Sequence, residues 1–314
     1  MEHNGLLLDL INNGKEYMVI GMNFNFKKLK FSIKKAVVKI PAKCKGIPIT
    51  VIGEGAFQRS YITAVIMPKT LKTIEKEAFC DCASLTKVVF GSKLTTIGDR
   101  AFKGCSSLNE INIPSTVKSI GANAFDDCGA EYTLVGSCKY LGAKGNPYEY
   151  LVECNSDGGY VYLKDGCRFI CGGAFNSCAD CLWHVEIPES VTVISDRAFY
   201  GCEKLSVIKI PNSVTDIGSR AFVGTNLIDM ILPNTLKNVA EDAFKWCEKW
   251  KKITVVTADT AFLLEFKLGG VLESIIFSSD KNSFNLINKQ ILKSINCKKY
   301  LIVCKDGIFS KQFM

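Results

Sequence analysis

Residues 113–128 read Ile113-Pro114-Ser115-Thr116-Val117-Lys118-Ser119-Ile120-Gly121-Ala122-Asn123-Ala124-Phe125-Asp126-Asp127-Cys128, and Ile210 to Thr225 repeat almost the same order of residue types. The dipeptide at the centre of this stretch recurs at Ala56-Phe57, Ala78-Phe79, Ala101-Phe102, Ala124-Phe125, Ala174-Phe175, Ala198-Phe199, Ala221-Phe222 and Ala243-Phe244. Successive steps are 22, 23, 23, 50, 24, 23 and 22 residues, so a single step spans about two periods. Self-similarity at a fixed period of this length is the mark of a repeat architecture.

The register extends well beyond the dipeptide. Four residues before each Ala stands a branched aliphatic: Ile52, Ile74, Ile97, Ile120, Ile170, Ile194, Ile217 and Val239. Three residues after the Phe stands Cys82, Cys105, Cys128, Cys178, Cys202 or Cys247, with Ser60 and Thr225 in the other two units. A short apolar run ending in Pro precedes most units, as in Val65-Ile66-Met67-Pro68, Val185-Glu186-Ile187-Pro188 and Ile208-Lys209-Ile210-Pro211. Alternation in that run predicts a strand with one buried face. Pro ends it, having no N–H to give the ladder. The small Ala allows adjacent coils to approach closely, and each Phe is positioned to stack on the next to make an apolar spine. No unit can bury its own face, so stacking makes the core and the ends need caps.

The signature I-P-x-x-V-x-x-I-G-x-x-A-F, clearest at Ile113 to Phe125 and Ile210 to Phe222, resembles the BspA-like leucine-rich repeat family. Gly46-Ile47-Pro48-Ile49-Thr50-Val51-Ile52-Gly53-Glu54-Gly55-Ala56-Phe57 looks like that family's usual entry, and the resemblance covers roughly residues 36 to 256. It implies a leucine-rich repeat solenoid of the α/β horseshoe class, strand-rich and with about a 23-residue period. Short parallel strands would line one face, with turns and short helical segments on the other. The family is known from surface and secreted proteins of bacteria and some protists, which implies adhesion or protein binding.

The expected organisation is a strand-rich N-terminal cap over residues 1–43, repeats over 44–256, and a C-terminal cap over 257–314. The double step is an irregular excursion at 129–169, in which Gly145-Asn146-Pro147 reads as the turn of a hairpin. The excursion reads first as a divergent repeat; its tyrosines, Tyr132, Tyr140, Tyr148 and Tyr150, are expected on the surface, which makes it also a second place where binding could reside. In the C-terminal part, Ala261 to Leu268 and Asn285 to Ile295 look helical, and Tyr300 to Cys304 looks like a strand ending at Asp306-Gly307.

Composition fits a folded domain: 47% of residues are apolar, enough for a sizeable core, and no 18-residue apolar run suggests a transmembrane helix. The start, Met1 to Leu10, does not read as a signal peptide, so the sequence suggests the cytoplasm where the resemblance implies the cell surface or secretion. The net charge of +8 is spread along the chain. The densest run, Lys27 to Lys35, alternates with apolar residues and reads as a solvated strand face rather than a nucleic-acid patch.

Fifteen cysteines, an odd number, exclude complete pairing within the chain. Six occupy one repeat position, where thiols can donate weakly to buried carbonyls. Cys167, Cys171, Cys178 and Cys181 also admit a zinc site or a disulfide from Cys178 to a neighbour. Packing is the preferred reading, because Cys178 is the ladder residue, Cys181 falls at the following Leu position, and the spacing lacks a paired-knuckle form. With His3 and His184 as the only histidines, and no phosphate-binding or nucleophile-elbow pattern, catalysis is not expected. Neither a cofactor nor a small-molecule substrate is called for.

What remains is the strand face. Ile66, Val89, Asn112, Glu186, Lys209, Ile231 and Thr254 fall between buried aliphatics and should project outward, with Trp183 and His184 beside them. Their chemistry varies over a constant scaffold. The expected function is a non-catalytic protein-binding repeat module, adhesive to host or cell-surface macromolecules by family resemblance. An intracellular interaction scaffold of the same fold is the alternative.

Overall fold

A computed structural model of the chain describes residues 1–22, 36–143, 145–233, 235–247 and 249, together with strands at Lys252–Val255, Ser274–Ser278, Lys299–Cys304 and Gly307–Gln312. The chain divides into two compact units, Met1–Thr133 with Leu141–Pro147, and Leu134–Tyr140 with Tyr148–Met314. Both are β-solenoids whose coils carry two short strands, each pairing in parallel with its equivalent in the next coil.

The first row of strands is built on the aliphatic that precedes Ala-Phe. In the first unit Ile47–Ile52, Thr73–Ile74, Thr96–Ile97 and Ser119–Ile120 pair in sequence, with Ile52, Ile74, Ile97 and Ile120 in register and buried. In the second, Asn146–Cys154, Phe169–Ile170, Val193–Ile194, Asp216–Ile217 and Asn238–Val239 do the same, aligning Leu151, Ile170, Ile194, Ile217 and Val239. The other row is built on the run before Pro. There Val38, Val65 and Val88 align in the first unit. Val161, Val185, Ile208 and Met230 align in the second and are buried. One-residue alternation decides which side chains enter the core, because successive Cβ atoms point to opposite faces.

Between the rows the chain turns at Ala-Phe. Each Phe N–H donates to the Ala carbonyl of the next coil, at 2.8 Å from Phe57 to Ala78 and from Phe199 to Ala221. The rings stack nearly parallel, with centroids 5.0, 5.1 and 5.5 Å apart along Phe57, Phe79, Phe102 and Phe125. Along Phe175, Phe199, Phe222 and Phe244 the spacings are 4.6, 5.1 and 5.0 Å. The predicted spine therefore exists as two stacks, one in each unit.

The helical segments expected opposite the strands are not there. Among the described residues that side is made of turns, with one 3-10 turn at Asn176–Cys178. The reason is local. Left-handed residues bracket the dipeptide, as Arg100 (φ 54°) and Gly104 (φ 71°) do around Ala101-Phe102, and Arg220 (φ 55°) and Gly224 (φ 75°) around Ala221-Phe222. A run of right-handed residues is interrupted before it closes a helix. The 3-10 turn also moves the repeat by one residue, in keeping with the 24-residue step that follows it. Leu182, not Cys181, fills the buried Leu position there, and its N–H donates to Cys178 O at 2.9 Å.

At the N-terminus Leu6–Ile11 and Glu16–Met22 form an antiparallel hairpin around left-handed Asn12, Asn13 and Gly14. Glu16–Met22 then pairs in parallel with Ile47–Ile52, burying Tyr17 and Val19. Cys138–Ala143 and Asn146–Cys154 are neighbouring strands joined at 144–145, so the hairpin is real, but Asn146 and Pro147 already lie in its second strand. Its tyrosines are not the exposed set expected: Tyr140 and Tyr150 are buried, and Tyr132 and Tyr148 are half-buried. Tyr140 joins the second unit's buried core and Tyr148 packs against it. Beyond residue 256 the sheet continues through Ser274–Ser278 and Lys299–Cys304 in parallel, and Gly307–Gln312 returns antiparallel. The expected helices at 261–268 and 285–295, and the Lys27 to Lys35 run, lie outside the described residues.

Replacing Phe102 or Phe199 by Ala should lower unfolding free energy by about 3 to 5 kcal/mol, the range for a fully buried ring whose site collapses little. Urea denaturation of each variant measures it. A loss below about 1 kcal/mol would contradict the stacks.

Candidate protein-binding face

The outward residues of the second unit's longer-strand row form the candidate site. Tyr160–Tyr162, His184–Glu186, Val207–Lys209 and Asp229–Leu232 lie side by side in that sheet. Each buries its central or alternate aliphatic and points the residues on either side of it to solvent. Two parallel columns result, Tyr160, His184, Val207 and Asp229 in one, Tyr162, Glu186, Lys209 and Ile231 in the other. Parallel strands lie about 4.8 Å apart, so neighbours within a column are close enough to act together.

Much of this face is apolar and uncovered. Tyr160 is 63% exposed, Tyr162 71%, Val207 56% and Ile231 52%. Trp183, just before the His184–Glu186 strand, is 54% exposed but held in place. Its N–H donates to Gly159 O at 2.7 Å, and its indole lies on the Gly159 backbone. A Cβ at residue 159 would penetrate Trp183 Cδ1 and lie 2.7 Å from Cys181 O, and Gly159 has φ +73°, so glycine is required there twice over. Lys204 Nζ sits 5.6 Å from the Trp183 ring centroid, in cation–π range. His184 is half-buried between the Tyr160 ring, 6.1 Å away centre to centre, and Glu186, whose Oε2 is 3.5 Å from His184 Nε2.

The expected site residues divide between the two units. Ile66 and Val89 are adjacent in the first unit, in register with Lys39 and partly exposed. Asn112 is exposed but lies in no strand, and Ile111 and Ile113 beside it are only half-buried. Glu186, Lys209, Ile231, Trp183 and His184 share the second unit's face. Thr254 is paired with Ile231 through the backbone. Sequence reading missed Tyr160, Tyr162 and Val207. The strand Tyr160–Tyr162 has no Ala-Phe behind it and lacks the Pro ending, and its signal is the bare alternation Tyr-Val-Tyr-Leu.

The cysteines are set to packing and hydrogen bonding. Cys82 Sγ donates to Phe57 O at 3.0 Å, Cys105 to Phe79 O at 3.2 Å, and Cys247 to Phe222 O at 3.1 Å, each reaching back one coil. Where the first run ends, the Tyr132 hydroxyl donates to Phe125 O instead. Burial pushes the Cys247 thiol up to about 11 and the Cys167 thiol to about 12, and raises Cys82, Cys105 and Cys202 as well. Cys167, Cys178 and Cys181 donate to separate carbonyls, of Phe169, Cys154 and Ser156. Among the described residues no group of three His, Cys, Asp or Glu is placed to hold a metal ion. Cys178 is a free thiol, and among the described residues a disulfide joins Cys138 to Cys154. No helix among the described residues is long and apolar enough to cross a membrane.

Repeat sequence and coil geometry together define a leucine-rich repeat protein. The family model of the BspA type leucine rich repeat region, in six copies, matches residues 26–143 and 168–286, and the chain belongs to that family. Similar solved structures include a leucine rich cell surface protein from Faecalibacterium prausnitzii, 20% identical, covering 92% of this chain and 97% of that one at a TM-score of 0.42. A leucine-rich repeat protein from Bacteroides ovatus is 20% identical over 88% of this chain and 70% of that one, at 0.40. The pneumococcal vaccine antigen PcpA is 16% identical over 97% and 98%, at 0.42. No curated protein matches the chain in sequence.

Two outcomes follow from this geometry. Gly159→Ala should cost about 1 to 2 kcal/mol from the left-handed backbone alone and shift tryptophan emission as Trp183 is displaced. Unchanged emission and stability would mean Trp183 is not seated on Gly159. Thiols whose folded values lie above the ordinary 9.0 stabilise the fold fully below about pH 9, and that contribution is lost as pH rises through about 11 to 12. Thermal midpoints should therefore fall over that window, and a Cys167→Ala/Cys247→Ala variant should show a shallower decline than the parent.

Proposed function

We propose that the protein is a non-catalytic protein-binding module whose contact surface is the outward face of the second unit's sheet. The observation that carries this reading is the exposed set Tyr160, Tyr162, Trp183, Val207 and Ile231 on one rigid sheet, with Trp183 fixed between Gly159 and Lys204. Rigid aromatic side chains give large contact area at little entropic cost and concentrate the energy of interfaces. Exposed apolar surface on this scale marks interaction sites in folded proteins. Glu186, Lys209, Asp229 and His184 interleave with it and supply polar contacts for register. Adhesion to a host or cell-surface macromolecule is the form of binding that family resemblance implies, and the same face would serve it.

The test is site-specific photocrosslinking in cells that produce the protein. A photoreactive residue at position 162 or 231 should yield a discrete protein adduct that disappears in the Trp183→Ala variant while the thermal midpoint stays within a few degrees. Equal adducts from position 200, on an exposed turn of the same unit, would overturn the assignment of the face.

A further inference from the structure

We propose that Cys138 and Cys154 form a thiol–disulfide switch that locks the cap on the second unit's repeat run. The two residues face each other across the antiparallel hairpin Cys138–Ala143 and Asn146–Cys154, with Cα atoms 4.1 Å apart. That separation suits a pair between hydrogen-bonded rungs. Asn155 N–H donates to Ser137 O at 2.8 Å just beyond them.

Cys154 does more than close the hairpin. Its N–H donates to Ala174 O at 2.7 Å, as Phe57 donates to Ala78 and Phe199 to Ala221. Its carbonyl accepts from Cys178 Sγ at 3.2 Å, as Phe57 O accepts from Cys82 Sγ. By both hydrogen bonds Cys154 stands in the Phe position of a coil that has no Phe. Its sulfur, bonded to Cys138, belongs to the same buried cluster as Phe175. The disulfide thus takes the place of the next ring at the start of the stack, and Tyr140, whose hydroxyl accepts from Lys164 N–H at 3.1 Å, shields the same end.

The hairpin explains why this pair is bonded while the ladder thiols are free. Parallel coils aim the Sγ of Cys82, Cys105, Cys178 and Cys247 back at a carbonyl one coil away, whereas antiparallel strands aim two side chains at each other. Closing the bond takes two thiols and a low-molecular-weight disulfide. One cysteine thiolate attacks the oxidant and releases a thiol, the second attacks the mixed disulfide and releases another, and the two cysteine protons leave with those thiols. Cys138 and Cys154 are buried, so exchange requires the hairpin to open. Burial also raises the thiols of Cys167, Cys171 and Cys178 nearby, which keeps them out of the reaction. Oxidising surroundings hold the cap shut, and reducing ones leave it held by hydrogen bonds and packing without the covalent link.

The experiment uses the full chain, oxidised with glutathione disulfide or reduced with dithiothreitol. Alkylation under denaturing, non-reducing conditions followed by peptide mass spectrometry should find Cys138 linked to Cys154 in the oxidised sample and the ladder cysteines alkylated. Hydrogen exchange of amides in 138–156 should be about a hundredfold faster after reduction, the loss expected for opening a loop of this length. Amides around Phe199 and Phe222 should change far less. A Cys138→Ser/Cys154→Ser variant should match the reduced protein and no longer respond to dithiothreitol, whereas Cys202→Ser should respond as the parent does. Alkylated Cys138 in the oxidised sample, or exchange indifferent to reduction, would overturn the proposal.

Discussion

Everything in this protein depends on the contact between one Ala-Phe turn and the next. A backbone hydrogen bond from each Phe to the following Ala and a ring stacked at about 5 Å fix the rise per coil at the separation two parallel strands also need. The turn and both strand rows can therefore repeat together without strain accumulating. Ala is required because a larger side chain would hold the coils apart. Offset stacking adds about 0.5 to 1.5 kcal/mol per ring pair to the burial itself, and the sum over several coils is what a unit of this kind has instead of a single globular core.

The price of a turn so tight is borne by the backbone. Left-handed residues flank the dipeptide, and several are not glycine: Arg100, Asn123, Arg197 and Arg220 all hold positive φ. Ion pairs between coils, such as Arg100 with Glu77 and Arg220 with Asp242, lie at the same corners and keep the guanidinium about half in water, so their contribution is small. The corners are held by the buried side of the turn, by Phe, Ala and the Cys that reaches back to the preceding carbonyl.

A scaffold fixed from inside leaves its outer face free to vary. The second unit shows this most clearly, where buried Val161, Val185, Ile208 and Met230 keep strands in register while the residues beside them range from Tyr and Trp to Glu and Lys. Gly159 extends the same logic to one position on the surface, since the absence of a side chain there seats Trp183. Cysteine is used in two ways by the same fold: as a hydrogen-bonding filler where coils run parallel, and as a covalent closure where the chain reverses.

The repeat, the identity of the buried aliphatics, the Phe stacks and the thiol-to-carbonyl ladder were all legible in the sequence, because each depends on spacing along the chain and recurs at every period. Ile66, Val89, Glu186, Lys209 and Ile231 could be placed on the outer face for the same reason. What only the tertiary structure decided lies where periodicity lapses. The turn side is left-handed rather than helical because φ is set by coil closure, which residue spacing does not encode. The excursion's Tyr140 and Tyr150 are buried because a hairpin folds them under, and Cys138 meets Cys154 because its strands run antiparallel. Tyr160 and Tyr162 join Trp183 on one face through pairing between strands 24 residues apart. Such meetings depend on chain direction and on what lies across the sheet, and a linear pattern carries neither.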